Sequence, residues 1–246
     1  MTLPRALFLD LDDTLLSAYG NRRDDWTAIL REFASGLDGI SPEAACDTIL
    51  QAAEDFWADA EQHRVWRQKL PEARRRVAEL GLERLGIANA AALAADVGDA
   101  VTAFQHRNMY LFPRVEEALR AFRELGVSLA LVTNGASDIQ RAKIDRFGIA
   151  PLFDHIQIEG EFGAGKPEPV VYEHLLAVFA VAPGDAWMVG DNLEWEVAAP
   201  QRHGIRGIWC DPKRRGLPAG STVRPDHIVH HIEELLPAGA DDTSSR

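Results

Sequence analysis

Residues 6–15, Ala-Leu-Phe-Leu-Asp-Leu-Asp-Asp-Thr-Leu, decide the fold. The apolar half predicts a short buried strand, and carboxylates follow where that strand ends. Because residues i and i+2 of a strand point the same way, Asp10 and Asp12 face one side together, at the edge where open α/β sheets bind ligands. Two close carboxylates repel each other unless a cation or a shared proton separates them. The pair therefore predicts a Mg²⁺ site, with one carboxylate free to attack and the other free to carry a proton. The alternative is an Asp-rich turn whose side chains bond nearby backbone.

Length and charge narrow the class of protein. A chain of 246 residues fits one large domain or a domain with a sizeable insertion. The net charge of −12 argues against nucleic acid and anionic membranes as partners, but it allows a small anionic substrate if local positive charge lines the pocket. Cys46 and Cys210 lie far apart and predict buried free thiols, which fits a reducing cytoplasm. No signal peptide and no bilayer-spanning segment is expected.

The pattern of apolar residues divides the chain into two kinds of structure. Residues 17–110 are rich in Ala, Leu, Glu and Arg at helical spacing and predict four or five helices. From residue 113 onward strands alternate with helices, which predicts a parallel sheet covered on both faces. The predicted fold class is therefore α/β, a Rossmann-like core of residues 1–16 and 111–236 with an inserted all-helical block. Residues 237–246 are expected to be disordered, and Pro200 is expected to kink or shorten a helix over 193–203.

Two of the later segments end in groups that suit an anion. Thr133-Asn134-Gly135 follows an apolar strand and offers a hydroxyl and backbone N–H groups near a helix start, which suits an oxyanion. The alternative is an ordinary strand-to-helix turn. Lys166 is predicted at the start of the next helix, where the helix dipole disfavours a cation unless a phosphate or carboxylate lies nearby. The alternative there is a flexible surface lysine.

A further acidic segment follows the strand that ends near Gly190. Asp191 can add an oxygen ligand to a hard cation, and the alternative is that it caps a helix. Glu196 lies about one helical turn further on. It could support the site from behind, or it could be a solvated helix residue.

Asp-x-Asp-x-Thr, Thr-Asn-Gly, Lys-Pro and Gly-Asp at successive strand ends resemble the motifs of the haloacid dehalogenase-like (HAD) hydrolase superfamily. The resemblance extends to about residue 236. The insertion over 17–110 looks like the helical cap of subfamily I, since no room for the larger cap type exists between Gly135 and Lys166. The motif sequences are most similar to those of the N-acylneuraminate 9-phosphatase and pyrimidine 5′-nucleotidase branches.

The resemblance implies a role for each motif residue. It makes Asp10 the nucleophile that forms an aspartyl-phosphate, and Asp12 the acid that protonates the leaving oxygen and then takes a proton from water. Lys166 would offset the charge on Asp10 and on the phosphoryl group. Thr133 and the N–H groups of Asn134 and Gly135 would hold the phosphoryl oxygens.

The resemblance also implies a magnesium site. Mg²⁺ would be held by Asp10, the backbone carbonyl of Asp12, and Asp191. Glu196 stands where the family usually has a second aspartate. Its side chain is one methylene longer, which leaves a direct or a water-mediated contact with the metal open. With Asn192, Glu196 is expected to support the metal ligands from behind.

The leading hypothesis is a Mg²⁺-dependent phosphatase of a small phosphorylated metabolite, active as a monomer or homodimer. A 2-haloacid dehalogenase is an alternative within the superfamily, but that chemistry needs no metal and no acid two residues after the nucleophile. A phosphoglucomutase-like transferase has no positive support. A non-catalytic binding protein on the same scaffold would have lost at least one of the chemical residues, yet all of them are present.

Overall fold

The structure, a computed structural model, describes residues 2–237, with the backbone alone at Ala60. The predicted tail over 237–246 therefore lies, apart from Pro237, outside the described residues. Within these residues, six strands form a parallel sheet and two short strands form an antiparallel pair. The strands are β1 (Ala6–Leu9), β2 (Leu16–Ser17), β3 (Tyr110–Leu111), β4 (Ser128–Thr133), β5 (His155–Ile158), β6 (Ala186–Gly190), β7 (Arg206–Cys210) and β8 (His227–Val229).

The parallel sheet has the order β5-β4-β1-β6-β7-β8, which places the first strand near its centre. Phe8 of β1 lies opposite Ala130 of β4 on one side and Met188 of β6 on the other. Every residue of β1 is buried, as expected for a parallel strand covered on both faces. The predicted α/β class is confirmed. Because all six strands are parallel, the residues that follow β1, β4, β5, β6 and β7 emerge at one edge of the sheet.

The segment Ala18–Met109 forms a compact unit of its own. It begins after β2 and ends before β3, and these two strands pair with Ser17 opposite Tyr110. Its core contains Leu30, Ile49 and Leu82, all fully buried. The helices of this unit are α1 (Arg22–Glu32), α2 (Pro42–Ala58), α3 (Ala60–Trp66), α4 (Leu70–Arg84) and α5 (Ala90–Asn108), with a short 3₁₀ turn over Ala34–Gly36.

The second compact unit consists of the chain up to Ser17 together with the chain from Tyr110. It contains the sheet and its own apolar core, in which Phe8 and Met188 pack with Val171 and Leu175. The helices of this unit are α6 (Val115–Glu124), α7 (Ser137–Phe147), α8 (Glu159–Phe162), α9 (Pro169–Phe179) and α10 (Ala199–Arg202). We call it the sheet unit.

The helix after β6 changes its geometry before Pro200. A π-helical turn over Leu193–Ala198 runs directly into α10, which carries Pro200 in its first turn. Proline is tolerated there because the N–H groups of a first turn have no partner within the helix. The expected interruption near Pro200 is therefore confirmed, as a π-helical turn followed by a short helix.

The described residues also show the state of the two cysteines and the kind of helix present. Cys46 and Cys210 are both buried and free, as predicted. Between residues 2 and 237, no helix is both long and apolar enough to cross a lipid bilayer.

Candidate active site

The centre of the site is a buried ion pair between Asp10 and Lys166. Asp10 directly follows β1, and its Oδ1 lies 2.6 Å from Nζ of Lys166. The ammonium also donates to the carbonyl oxygen of Val132 at 2.8 Å. Lys166 has no solvent exposure, so its charge must be stabilised by protein groups. The surface-lysine alternative is therefore wrong.

Glu196 is the second carboxylate on the same ammonium. Its Oε1 lies 2.7 Å from Nζ of Lys166, and its Oε2 accepts the backbone N–H of Asn192 at 2.8 Å. Burial by itself lowers the pKa of Lys166, but the negative charges of Asp10 and Glu196 outweigh it and leave that pKa raised. Burial raises the pKa of Glu196 to about 7, although Lys166 opposes the shift. The lysine thus stays charged between two buried acids.

The loop that carries Lys166 is held by Asn134. The Nδ2 of Asn134 donates to the carbonyl oxygen of Lys166 at 2.7 Å, and its Oδ1 accepts the N–H of Lys166 at 2.8 Å. This double hydrogen bond ties the end of β4 to the lysine loop. Lys166 was expected at a helix start, but α9 begins only at Pro169. The lysine lies in the preceding turn because Gly165 and Glu168 close that turn with a backbone hydrogen bond of 2.9 Å.

The N–H of Gly135 already has a partner in this structure. It donates to Oε2 of Glu159 at 2.9 Å, and Glu159 directly follows the neighbouring strand β5. Sequence reasoning did not identify Glu159. Its position directly after the strand over 155–158 is the signal that could have found it, because Asp10 and Asp191 also directly follow strands.

Asp12 is held by two side chains of α7 that sequence reasoning missed. Nζ of Lys143 lies 2.6 Å from Oδ2 and 2.8 Å from Oδ1 of Asp12. Nε2 of Gln140 donates to Oδ2 of Asp12 at 3.2 Å and also to Oγ1 of Thr133. Both α7 side chains are buried. The available signal was their spacing of three residues, which places two long polar groups on one helix face.

Asp191 follows β6 and is exposed to solvent. The pKa of its carboxyl is raised, first by loss of solvation among the surrounding protein atoms and then by the charges of Asp10 and Glu196. Contact with solvent limits the effect of desolvation. The pKa of Asp10 is also raised, because its burial outweighs the opposing influence of Lys166. The carboxyl groups of Asp10 and Asp191 could therefore accommodate more positive charge than Lys166 alone supplies.

The residues beside Asp191 and Asp12 have structural partners. Oδ1 of Asn192 accepts the N–H groups of Glu194 and Trp195 at 3.0 and 3.1 Å, so Asn192 caps the π-helical turn. Asp13, in a left-handed backbone conformation with φ of 54°, pairs with Lys213 at 3.0 Å.

The groups of the site that could bind a metal are oxygen donors. Among residues 2–237, no three His, Cys, Asp or Glu side chains are grouped closely enough to hold a metal ion by themselves. Mg²⁺ does not require such a cage, because it is usually bound by one or two carboxylates and keeps several water or substrate oxygens. Asp10 and Asp191, whose pKa values are both raised, fit this mode of Mg²⁺ binding.

Comparison with known proteins identifies the family. The family model of haloacid dehalogenase-like hydrolases matches residues 4–204. This chain belongs to that family. It is a HAD-like hydrolase, and the resemblance of its motifs is confirmed.

The relatives of this HAD-like hydrolase include phosphatases. The phosphoserine phosphatase of Thermus thermophilus is 35% identical, with 96% of this chain and 99% of the relative covered. The N-acylneuraminate-9-phosphatase of Rattus norvegicus is 28% identical, with 94% and 92% covered. The predicted enzyme class is confirmed at this level.

Solved structures of similar fold include two kinds of HAD protein. YfnB, a HAD-hydrolase from Bacillus subtilis solved bound to magnesium, has a TM-score of 0.71 at 18% identity, with 95% of this chain and 97% of that chain covered. The 2-haloacid dehalogenase from Pseudomonas syringae has a TM-score of 0.58 at 25% identity, with 95% and 96% covered. At such identities the likeness to YfnB supports the fold alone.

Proposed function

We propose that this HAD-like hydrolase is a Mg²⁺-dependent phosphatase that hydrolyses a small phosphorylated metabolite through an aspartyl-phosphate on Asp10. The observation that carries the proposal is the placement of Asp10, buried at the end of the central strand and paired at 2.6 Å with the fully buried Lys166. A nucleophilic carboxylate reacts in its ionised form, and the charged lysine in contact favours that form against the burial that raises the pKa of Asp10. The phosphatases among the relatives support the same reaction class.

The first chemical step uses Asp10 and Asp12. One oxygen of the Asp10 carboxylate forms a bond to phosphorus while the bond between phosphorus and the ester oxygen breaks, and Asp12 gives a proton to the leaving alkoxide. Oδ1 of Asp10 is engaged by Lys166, which leaves Oδ2 for the attack. Lys166 stays charged beside the oxygens that become more negative in the transition state.

The second step returns the enzyme to its starting state. Asp12 takes a proton from a water molecule whose oxygen attacks phosphorus, and the bond between phosphorus and Asp10 breaks to release inorganic phosphate and the free carboxylate. Lys143 contacts both oxygens of the Asp12 carboxylate and so holds this acid–base group in position. Thr133 is proposed to contact the phosphoryl group, together with the N–H of Asn134. Gly135 would join them only if its N–H left Glu159.

Asp10, the backbone carbonyl of Asp12, and Asp191 would hold the cation. When bound, Mg²⁺ supplies positive charge that offsets the repulsion between these carboxylates and the phosphate ester. Glu196 is proposed to act on Lys166 and not on the cation, because its carboxylate is already shared between Lys166 and the N–H of Asn192. We also propose that the helical unit Ala18–Met109 is the cap of the enzyme.

The first experiment is hydrolysis of p-nitrophenyl phosphate by the full chain with Mg²⁺ or with EDTA. We expect Asp10→Asn to lower kcat by about 10⁴-fold or more, because the nucleophile is lost. Asp145→Asn is the matched control, since it makes the same chemical change at an exposed position of α7. EDTA is expected to abolish turnover, and added Mg²⁺ to restore it. Phosphate release that persists both in EDTA and in Asp10→Asn would disprove the mechanism.

The 2-haloacid dehalogenase is the second candidate, and the structural neighbour at 25% identity favours it. The presence of the acids Asp12 and Asp191 argues against a dehalogenase, since that reaction requires neither. Chloride release from 2-chloropropionate, measured in EDTA, distinguishes the two reactions. We expect none, and turnover of this substrate without turnover of phosphate esters would replace the proposal.

A further inference from the structure

The segment Asp211-Pro212-Lys213-Arg214-Arg215-Gly216 is a cationic loop at the edge of the sheet that carries the candidate active site. It follows β7, which lies beside β6, with Trp209 opposite Gly190. Two contacts tie this region to the site. Nε1 of Trp209 donates to the carbonyl oxygen of Asp191 at 2.8 Å, and Nζ of Lys213 lies 3.0 Å from Oδ2 of Asp13. We call residues 211–216 the basic loop.

The backbone of the basic loop is held in one conformation by Asp211. The buried carboxylate of Asp211 accepts the N–H of Gly216 at 2.8 Å and so closes the turn. The N–H of Asp211 donates to Val229 in the edge strand at 2.7 Å, and the N–H of Arg214 donates to the carbonyl oxygen of Asp211 at 3.0 Å. The positions of Arg214 and Arg215 relative to Asp13 are therefore set by the fold of the sheet unit.

The guanidinium groups of Arg214 and Arg215 are available to bind an anion. Within the described part of the chain, neither group has a hydrogen bond or an ion pair, although both residues are exposed. Four other arginines of the sheet unit pair with a carboxylate at 2.6 to 3.0 Å, namely Arg120, Arg123, Arg141 and Arg202. Arg206 also has no such partner among the described residues, but it lies at the other end of β7, away from the basic loop.

The missing partners of Arg214 and Arg215 matter because the loop lies beside the candidate site and the protein carries a net charge of −12. In such a chain, acidic partners for a surface arginine are plentiful, so two consecutive arginines without one keep two positive charges available to an anion from solution. Planar guanidinium groups bind carboxylates and phosphates in pairs of parallel hydrogen bonds, which makes a dissolved anion the natural partner for this pair.

We propose that Arg214 and Arg215 bind a second anionic group of the substrate, so that the substrate is a phosphate ester that also carries a carboxylate or a second phosphate. The inference rests on the proposed phosphatase function and names the chemical class of its substrate. Lys213 acts differently: it positions the basic loop through Asp13, which follows the proposed acid–base residue Asp12 in the chain.

The test compares substrates that differ in one anionic group. The first pair is 3-phosphoglycerate and glycerol 1-phosphate, in which a carboxylate is replaced by a hydroxymethyl group. The second pair is fructose 1,6-bisphosphate and fructose 6-phosphate, which tests a second phosphate. The readout is the ratio of kcat/KM within each pair, measured with the wild type, with Arg214→Gln/Arg215→Gln and with Arg206→Gln. Arg206 is the matched control, because it is exposed at the opposite end of β7.

We expect the wild type to prefer the more anionic member of at least one pair. The double variant should lower that ratio by about tenfold or more, since hydrogen bonds to a charged group are lost, while Arg206→Gln keeps it. The pair that responds identifies the second group as carboxylate or phosphate.

Three results would overturn the inference: a wild type without the preference in either pair, a double variant with an unchanged ratio, or an equal loss in Arg206→Gln, which would indicate general surface charge. Wild-type hydrolysis of p-nitrophenyl phosphate distinguishes a failure of the inferred substrate class from a failure of the proposed function. If it occurs without the preference, only the substrate class is wrong. If no ester is hydrolysed at all, the proposed function fails and the inference fails with it.

Discussion

At the scale of single residues, the charge balance of the site depends on Lys166. A lysine without solvent exposure would ordinarily lose its proton, because burial penalises the ammonium form. Here two carboxylates and a backbone carbonyl surround Nζ within 2.8 Å and reverse that tendency. The lysine therefore brings a permanent positive charge to Asp10. Its neighbour Asp12 is served by a separate cation, Lys143, so the two acids of the first motif are held by different helices and loops.

Lys143→Met is expected to lower kcat by about 10²-fold, because Asp12 loses the side chain that holds both of its oxygens and a small misplacement of an acid–base group costs that much. The free energy of unfolding should fall by about 2 kcal/mol, as one nearly buried charge loses its partner. Steady-state kinetics with p-nitrophenyl phosphate and urea unfolding measure the two effects.

The matched control for this change is Arg120→Met, which also removes a cation from an ion pair. The pair of Arg120 and Glu116 lies on an exposed helix face, so its loss should change stability by less than about 1 kcal/mol and leave kcat unaltered. If both variants behaved alike, the role assigned to Lys143 would be wrong.

At the scale of elements, the parallel sheet gathers the site because its strands all end at one edge. Asp10, Asp191 and Glu159 each follow a different strand, and the order of the strands in the sheet sets their order along its edge. The π-helical turn after β6 supplies Glu196, and it approaches the sheet closely over two glycines. A Cβ on Gly190 would overlap Cγ of Glu196, and one on Gly207 would lie 2.6 Å from Cα of Val197.

Gly207→Ala is expected to destabilise the protein by about 1–3 kcal/mol, because the new methyl group would meet backbone atoms of the π-helical turn that cannot move independently. It should also lower kcat, since a displaced turn moves Glu196 away from Lys166. The comparison variant is Gly184→Ala, where a Cβ meets nothing within 4 Å and stability should stay the same or rise slightly. Thermal unfolding of both variants decides the point, and equal melting temperatures would contradict it.

At the scale of the whole molecule, two compact units are built from one chain. The helical unit Ala18–Met109 is inserted between β2 and β3, whose residues Ser17 and Tyr110 lie opposite each other. The described apolar clusters stay within one unit each: Leu30, Ile49 and Leu82 in the helical unit, and Phe8 and Met188 in the sheet unit. Each unit thus has a hydrophobic core of its own, which is the usual requirement for a domain.

Replacing residues 18–109 by Asn-Gly is expected to leave a folded sheet unit. Ser17 and Tyr110 already pair in antiparallel register, and Asn-Gly is the preferred two-residue connection for such a hairpin. Far-ultraviolet circular dichroism and thermal unfolding should show a cooperative transition. A shortened chain that shows helical signal without cooperative unfolding would mean that the sheet unit depends on the insertion for its fold.

Local patterns in the chain determined the class of fold and the chemical residues. Apolar runs that end in Asp10, Thr133 and Asp191 predict parallel strands with polar groups at one edge, because burial on both faces demands continuous apolar residues and the loops alone can carry charge. The family, the α/β class and the enzyme class all followed from the same order of motifs. The assigned roles of these residues and the metal remain proposals.

Only the tertiary structure decided which charged and polar groups of the site pair with each other. Lys143 lies 131 positions from Asp12, and Lys166 lies 156 from Asp10, so no local periodicity relates them. The partners of Gly135 and Glu196 depend on how α8 and the π-helical turn pack at the sheet edge. The physical reason is that a buried charge selects its partner by distance in space after the strands have aligned, whereas the sequence specifies only which groups are available at each strand end.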